Sequence, residues 1–300
     1  MSQSKALDLD NSSFNAAANL AASLAAMARS IGGRDERWDD AWAVDARSPH
    51  PLPNSVALLK PLSNEHIGDL AGRIRSFFTA GSGGPSLIWS FWPASDEDAN
   101  AFASYGFMSV PGPPLMYRPA GAPEISYPPE LDIVEVHDDA TVLDFETTFV
   151  EAYPVPEMQP FQPGRIVSAS ALGGPLRLWV GYVDGKPVTT AIAHVEFDVV
   201  GVYWISTLPD ARGRGYGTAM TDIAARAQPD LPAVLQSSDL GGPIYERMGF
   251  ISMGKSRMWF MPKIAESRGC LETRRGRHTR PGRNSRISML ANVAPSTGSK

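Results

Sequence analysis

Arg212, Gly213, Arg214, Gly215, Tyr216, Gly217 and Thr218 stand in one uninterrupted run, and their types specify a chemistry. Glycines at every second position let backbone N–H groups crowd around a ligand without interference from Cβ atoms. Two arginines add full positive charge. A helix starting here would add unpaired N–H donors and the positive end of its dipole. Such a run is a cradle for phosphate or pyrophosphate. Two common loops of this kind do not fit it. No Gly-Lys-Ser/Thr ending marks a nucleoside-triphosphate loop. The glycines run G-x-G-x-G rather than G-x-G-x-x-G, and Asp230 and Asp239 fall in loop-like sequence where a ribose-reading acid is needed.

A cradle needs elements to hold it. Residues 201–208 are β-branched and aromatic enough for a buried strand, which Pro209 and Asp210 end. Residues 219–228 place Met220, Ile223, Ala224 and Ala227 on one helical face, with Pro229 just beyond. The glycines therefore lie where a strand turns into a helix. Farther on, residues 233–238 read as a strand, residues 243–250 as a short helix carrying Tyr245 and a Gly249-Phe250 turn, and residues 253–261 as a closing strand.

This order, with Arg-x-x-Gly-x-Gly opening the helix and Tyr245 ahead of Gly249-Phe250, resembles the GCN5-related N-acetyltransferase (GNAT) superfamily over about half of the chain. The resemblance implies an α/β (α+β) fold in which a mixed, mostly antiparallel central sheet is flanked by helices. It also implies acetyl-CoA as the acyl donor, attacked directly by an amine. Backbone N–H groups from Arg212 through Gly213, Arg214, Gly215, Tyr216 and Gly217 to Thr218 would face the pyrophosphate. The strand edge at Ile205, Ser206 and Thr207 would bond the pantetheine arm and offer an oxyanion donor, although ordinary strand pairing accounts for the same residues. Ser238, ending the next strand, completes the cofactor-binding set.

In the same family pattern Tyr245 falls beside the thioester sulfur. A phenol titrates near ~10, so at neutral pH it holds a proton for the leaving thiolate; the competing reading is a ring packed on Gly249-Phe250. An alkyl amine also titrates near ~10 and must lose a proton before it attacks. Glu196 is the first candidate base, with His194 on the same strand face and a water chain as alternatives. Solvated strand-end residues explain both side chains as well. Glu151 and Glu157 could attract a cationic acceptor, or be plain loop carboxylates.

The first half repeats the second. Aligning Gly106-Phe107 with Gly249-Phe250 sets Ser109 on Ser252 and residues 115–117 on residues 258–260. Strands at 38–45, 55–59 and 86–91 and helices at 13–30, 63–78 (Ser63 as N-cap) and 96–104 complete it. No glycine loop is present: Ser63, Asn64, Glu65 and His66 stand in its place, and Phe102 replaces Tyr245. A carboxylate there repels pyrophosphate. The expected organisation is a degenerate unit at 13–120 without the acyl-CoA loop, a Pro- and Gly-rich linker at 121–129, a catalytic unit at 130–263 opening with a strand at 131–136 and a helix from Asp138, and a basic disordered tail at 264–300.

Composition agrees with an enzyme that works in water. The chain has 300 residues, 43% apolar and 20% charged, which is globular rather than disordered. A single cysteine, Cys270, excludes an internal disulfide and favours a reducing, cytoplasmic setting. The alanine-rich stretch near residues 15–27 lacks the basic start of a signal peptide, and no window approaches a membrane span. The formal charge of −5 divides into +7 from Lys263 onward and −12 before it; an acidic body suits attraction of a cationic amine, although surface carboxylates that merely aid solubility are the commoner explanation. The five histidines show no metal-ligand spacing and no metal is expected. The acceptor is expected to be a small-molecule or peptide amine, with a homodimer as a further expectation and without nucleic acid. Three rivals stay open: a non-catalytic acyl-CoA-binding module, a nucleic-acid factor acting through the tail, and an acyltransferase with a longer donor or a hydroxyl acceptor.

Overall fold

Alanine dominates the first helix, α1 (Leu9–Ser30), because the helix is enclosed on nearly every side. Ala16, Ala17, Ala18, Ala25 and Ala28 have no exposed surface, and small side chains let flanking strands approach closely. The computed structural model describes residues 9–63, 65–93, 96–153, 155–238 and 241–264. The expected basic tail and Cys270 lie outside the described residues, and among those described no helix is long and apolar enough to cross a membrane.

After α1 come β1 (Arg34–Arg37), β2 (Ala41–Asp45), β3 (Ser55–Leu58), α2 (Ile67–Ala80), β4 (Ser86–Ser90), α3 (Asp96–Ala103) and β5 (Met108–Arg118). The second half supplies β6 (Asp132–Glu135), α4 (Asp139–Ala152), β7 (Leu176–Val183), β8 (Lys186–Glu196), β9 (Val199–Thr207), α5 (Tyr216–Ala225), β10 (Ala233–Gln236), α6 (Gly242–Arg247) and β11 (Ile251–Met261). Several boundaries differ from the sequence reading. The strand expected at 38–45 begins only at Ala41, as one arm of a hairpin whose outer arm β1, at Arg34–Arg37, is all charged and so protects a sheet edge. Helix α2 starts at Ile67 without a side-chain cap, because Ser63 uses its carbonyl in a turn with His66 and Ile67. Helix α5 starts three residues early, at Tyr216.

All eleven strands join one mixed sheet, ordered β1-β2-β3-β4-β11-β5-β10-β9-β8-β7-β6. About the β11/β5 pair the order mirrors β4-β3-β2-β1 on β10-β9-β8-β7, with β6 added at the second edge. Each half sends its last strand across: β11 pairs with β4, and β5 pairs with β10. Only β3/β4 and β9/β10 are parallel. Strand β5 is longer than the expected 115–117 and holds Pro111, Pro113 and Pro114, residues that a central strand normally excludes. They are tolerated because the β10 ladder pairs only with Leu115 to Arg118, and beyond it the Ser237 N–H meets the Pro114 carbonyl (2.9 Å), a contact that asks no N–H of a proline.

The sheet curls around α1, which packs on β2 and β3 and also on β8 and β9. Phe197, in the β8–β9 turn, meets Trp42 of β2 edge-on at 6.4 Å. Buried Asn19 of α1 fixes this closure. Its amide donates to the carbonyls of His194 (2.9 Å), Glu196 (2.8 Å) and Val199 (3.3 Å), and its carbonyl accepts from Tyr203 (2.8 Å). Helix α4 packs on the same inner face of the sheet, with Phe145 and Phe149 in one cluster with Ile192, Tyr203 and Val234. Helices α5 and α6 cover the outer face through Met220, Ala224 and Met248, against Ala191, Val202 and Leu235.

Candidate active site

The loop between β9 and α5 is built for backbone donors. Pro209 to Ala211 form one 3-10 turn, and Gly213 and Gly215 then take φ of +78° and +86°. L-residues rarely adopt that conformation, and its repetition turns successive N–H groups toward one concavity. Gly215 is the N-cap of α5, with no side-chain cap. Among the described residues, no hydrogen-bond acceptor is found for the N–H groups of residues 213–218, the six at this helix start. They form the donor array that an anion at a helix N-terminus requires.

The arginines divide. Arg212 was expected at the pyrophosphate, but its guanidinium bonds the Thr207 carbonyl (3.0 Å) and the Ala152 carbonyl at the end of α4 (3.1 Å). It ties the loop to α4, where the C-terminal dipole favours a cation. Its own N–H closes the 3-10 turn on Pro209 at 3.3 Å. Arg214 is exposed and lines a cavity of about 570 Å³ with Glu151, Asp184, Lys186 and Asp210. The Tyr216 ring is buried, and its hydroxyl donates to Glu130 at 2.9 Å, so only its N–H faces the loop.

Beside this loop the sheet opens. Strands β9 and β10 pair at Ala233–Val200 and Val234–Gly201 and no farther, while β9 runs on to Thr207. Leu208 donates to Val188 at 2.9 Å, so by antiparallel alternation the N–H of Thr207 turns away from β8 and into the gap. A bulge opposite Ala191 marks the same stretch, with Trp204 at φ +50°. The Ser206 and Thr207 hydroxyls are engaged by Thr190 (2.7 Å) and Thr189 (2.9 Å) of β8. Ser206 and Thr207 therefore meet the gap through their backbone. Ser238 lies at the mouth of the gap, its hydroxyl accepting from the Gly241 N–H at 3.2 Å.

Tyr245 on α6 is half-buried, its ring 5.9 Å from that of Phe250 and lying over Gly241, where a Cβ would meet the ring at 2.6 Å. Its hydroxyl is in hydrogen-bonding reach of Thr221 on α5, whose own hydroxyl donates to Gly217 at 2.8 Å. Burial, seconded by Tyr153, pushes the Tyr245 phenol up to about 12. From the inner face, Trp204 stacks on Phe149 (4.5 Å) and Phe149 on Tyr153 (5.0 Å), an aromatic wall that sequence reasoning did not single out.

The two candidate bases lie elsewhere. Glu196 pairs with Val199 at the far end of β9, eight residues from Thr207, or roughly 26 Å along the strand. His194 sits opposite Gly201, buried and held neutral, its pKa lowered to about 4 by burial alone. Its Nε2 is 3.8 Å from Glu196, its Nδ1 finds no partner among the described residues, and its carbonyl is taken by Asn19. Sequence reasoning also passed over Glu146. This α4 carboxylate is 1% exposed and accepts from the N–H groups of Gly164 (2.6 Å), Ile166 (2.8 Å) and Val167 (3.1 Å), fixing the loop that follows α4. A charge set between Phe145 and Phe149 on an otherwise apolar helix face is the signal that could have found it.

A family model described as an acetyltransferase (GNAT) domain matches residues 174–252, which span β7, β8, β9, the loop, α5, β10 and α6. A search of curated proteins finds no match. Among solved structures, the chain is similar to a GCN5-related N-acetyltransferase from Kribbella flavida (20% identity, TM-score 0.56, covering 82% of this chain and 94% of that one). It is also similar to a functionally unknown conserved protein from Staphylococcus epidermidis ATCC 12228 (14% identity, TM-score 0.56, 78% and 96%), and to a GNAT-family protein from Novosphingobium aromaticivorans DSM 12444 (16% identity, TM-score 0.50, 77% and 92%). At these identities the structural likeness speaks for the fold, and residues 174–252 carry the match to the GNAT acetyltransferase domain.

Proposed function

We propose that the protein is an acetyl-CoA-dependent N-acetyltransferase that passes the acetyl group directly to a primary amine of a small molecule or peptide. The observation that carries this reading is the run of N–H groups at 213–218 set at the mouth of the β9/β10 gap. Pyrophosphate on the loop would leave the pantetheine arm to enter the gap past Ile205 and Thr207, bringing the thioester toward Tyr245. The side chains in this account do the following. The Thr207 N–H bonds the arm. Arg212 holds the loop and α4 in register, and Arg214 adds positive charge at the rim. Ser238 sets the turn that carries Tyr245.

Tyr245 keeps its proton at every physiological pH. Its phenol, at about 12, lies some 3.5 units above an ordinary thiol, so full transfer to a thiolate is uphill by about 5 kcal/mol. Its part is therefore to donate a strong hydrogen bond to the departing sulfur, while the proton itself comes from the nitrogen of the tetrahedral intermediate, which becomes a neutral amide as the C–S bond breaks. A water chain fits the deprotonation of the amine better than Glu196 or His194, because both lie toward the far end of β9.

The first half serves as a degenerate unit. Strand β3 stays paired with β4 through Ala57 and ends at Leu58, so no gap comparable to β9/β10 forms. Phe102, the counterpart of Tyr245, has no exposed surface and stacks on Phe107 at 4.5 Å.

Acetyl transfer to a panel of primary amines, followed by CoA release, tests the reading. Tyr245→Phe should lower kcat by about 10²–10³-fold, the loss expected when one hydrogen-bond donor to a developing anion is removed, with the acetyl-CoA Kd unchanged. Wild-type binding of acetyl-CoA without transfer to any amine would favour the non-catalytic module, and a preference for longer acyl-CoA would move the donor.

A further inference from the structure

On the inner face, at the end of the sheet where β9 and β10 finish, the two halves meet through a pair of ionisable side chains. Glu157 lies in the 3-10 turn Pro156–Met158 that follows α4. Its Oε2 is buried with no hydrogen-bond partner among the described residues, and the nearest polar group facing it is Nε2 of His50, at 3.9 Å. That is too long for a hydrogen bond.

His50 belongs to the loop between β2 and β3, and the loop is rigid. Buried Asn54 accepts from the Ser48 N–H (3.2 Å) and donates to the carbonyls of Ser48 (2.8 Å) and Pro85 (2.9 Å). The His50 N–H donates to the Ser48 hydroxyl at 3.1 Å. The Leu52 N–H donates to His50 Nδ1 at 3.2 Å, which places the imidazole proton on Nε2, facing Glu157. Burial, the larger influence, lowers the His50 pKa against the pull of Glu157, which favours the neutral ring.

A carboxylate oxygen removed from water and left without a donor is costly unless a cation meets it. Oε2 itself is enclosed, but the Glu157 side chain as a whole keeps 28% of its surface exposed, so a turn of the carboxylate would bring that oxygen to a ligand. The site adjoins the reaction centre. Tyr153, four residues before Glu157, belongs to the stack through Phe149 to Trp204 at the β9 bulge, and Val155 and Met158 are buried in the same cluster as Trp204.

We infer that Glu157 and His50 bind a second basic nitrogen of the acceptor, so that the preferred substrates are diamines in which one amine is acetylated and the other stays charged. The assignment to the second nitrogen follows from acid–base chemistry. A carboxylate raises the pKa of an ammonium it holds, and the nitrogen that attacks must be neutral. The nitrogen on Glu157 is thus the one that does not react. The inference rests on the acetyltransferase reading for the word acceptor, and on the Glu157–His50 geometry alone for the binding of the cation.

The test is isothermal titration of α,ω-diamines of three to six carbons, and of amino alcohols of the same lengths, into the full chain with and without saturating CoA. At least one diamine should bind ten-fold or more tightly than its amino alcohol. Glu157→Gln should erase that difference. His50→Asn, which keeps an acceptor for the Leu52 N–H, should reduce it, and both variants should keep the wild-type acetyl-CoA affinity. Equal binding of the two series, a preference that persists in Glu157→Gln, or no diamine binding overturns the inference, since a water molecule then satisfies Glu157. Failure of acetyl-CoA itself to bind overturns the acetyltransferase reading instead, and the titrations without CoA still report on Glu157.

Discussion

Burial moves two titrations in opposite directions, each with a measurable consequence. The Tyr245 phenol is pushed up to about 12, which preserves a hydrogen-bond donor. The His194 imidazole is brought down to about 4 from the ordinary 6.5. Between those two values the unfolded chain binds a proton at His194 that the folded chain refuses, so folding stability rises with pH through this window and is lost as pH falls. The size is about 3 kcal/mol between pH 7 and pH 4. Urea unfolding at a series of pH values should display that slope, and His194→Gln should flatten it; an unchanged slope would place the titration elsewhere. At this scale the sequence told the residue types well and their directions poorly. Arg212 has the charge a pyrophosphate wants, yet its guanidinium reaches the carbonyls of Thr207 and Ala152. Glu196 and His194 do share a strand face, but strand alternation says nothing of which end of β8 meets the loop.

Among the elements, the gap depends on β9 outrunning its pairing with β10 and on a loop that needs left-handed backbone twice. Gly213→Ala or Gly215→Ala should cost about 1–2 kcal/mol in folding stability and weaken acetyl-CoA binding at least ten-fold. Thermal melts and titration on the same samples check both effects, and full affinity in either variant would mean that the loop does not need this shape. The strand–loop–helix passage was legible because Pro209, the glycines and the apolar face of α5 are local signals. The length of β5 was hidden by Pro111, Pro113 and Pro114, whose place in a strand makes sense only once β10 is seen to stop at Leu115. Asn19 carries no local signal within its alanine-rich helix, yet it is the residue that recognises the β8–β9 turn.

The molecule as a whole is held together by exchange. Strand β5 comes from the first half and stands between β10 and β11 of the second, and its Arg118 makes a buried ion pair with Asp222 of α5 at 2.8 Å. Asp222 also accepts from Arg226 (2.7 Å) and Tyr127 (3.0 Å). The first half thus helps to set the helix whose N-terminus forms the cradle. Arg118→Met should destabilise the fold by about 3 kcal/mol, because a buried carboxylate loses its main partner; denaturant unfolding gives the value. Residues 121–264 expressed alone should fail to fold cooperatively, since β10 and β11 would each lose β5 as neighbour. A well-dispersed NMR spectrum from that fragment would contradict this picture. The likeness of the halves was visible at Gly106-Phe107 and Gly249-Phe250, which take the same left-handed turn at φ +82° and +85°. The exchange was not visible, because β5 and β11 follow equivalent turns and local pattern cannot choose between their partners.

The central claim is that the loop at 213–218 holds the pyrophosphate of an acyl-CoA. Isothermal titration of acetyl-CoA into wild type, Gly215→Ala and Gly215→Glu tests it most directly, because the alanine variant strains the backbone without adding charge. Saturable one-to-one binding in the wild type, at least ten-fold weaker binding in the alanine variant and a further ten-fold loss in the glutamate variant is the predicted result. Absence of wild-type binding, or equal affinity in all three proteins, would contradict it.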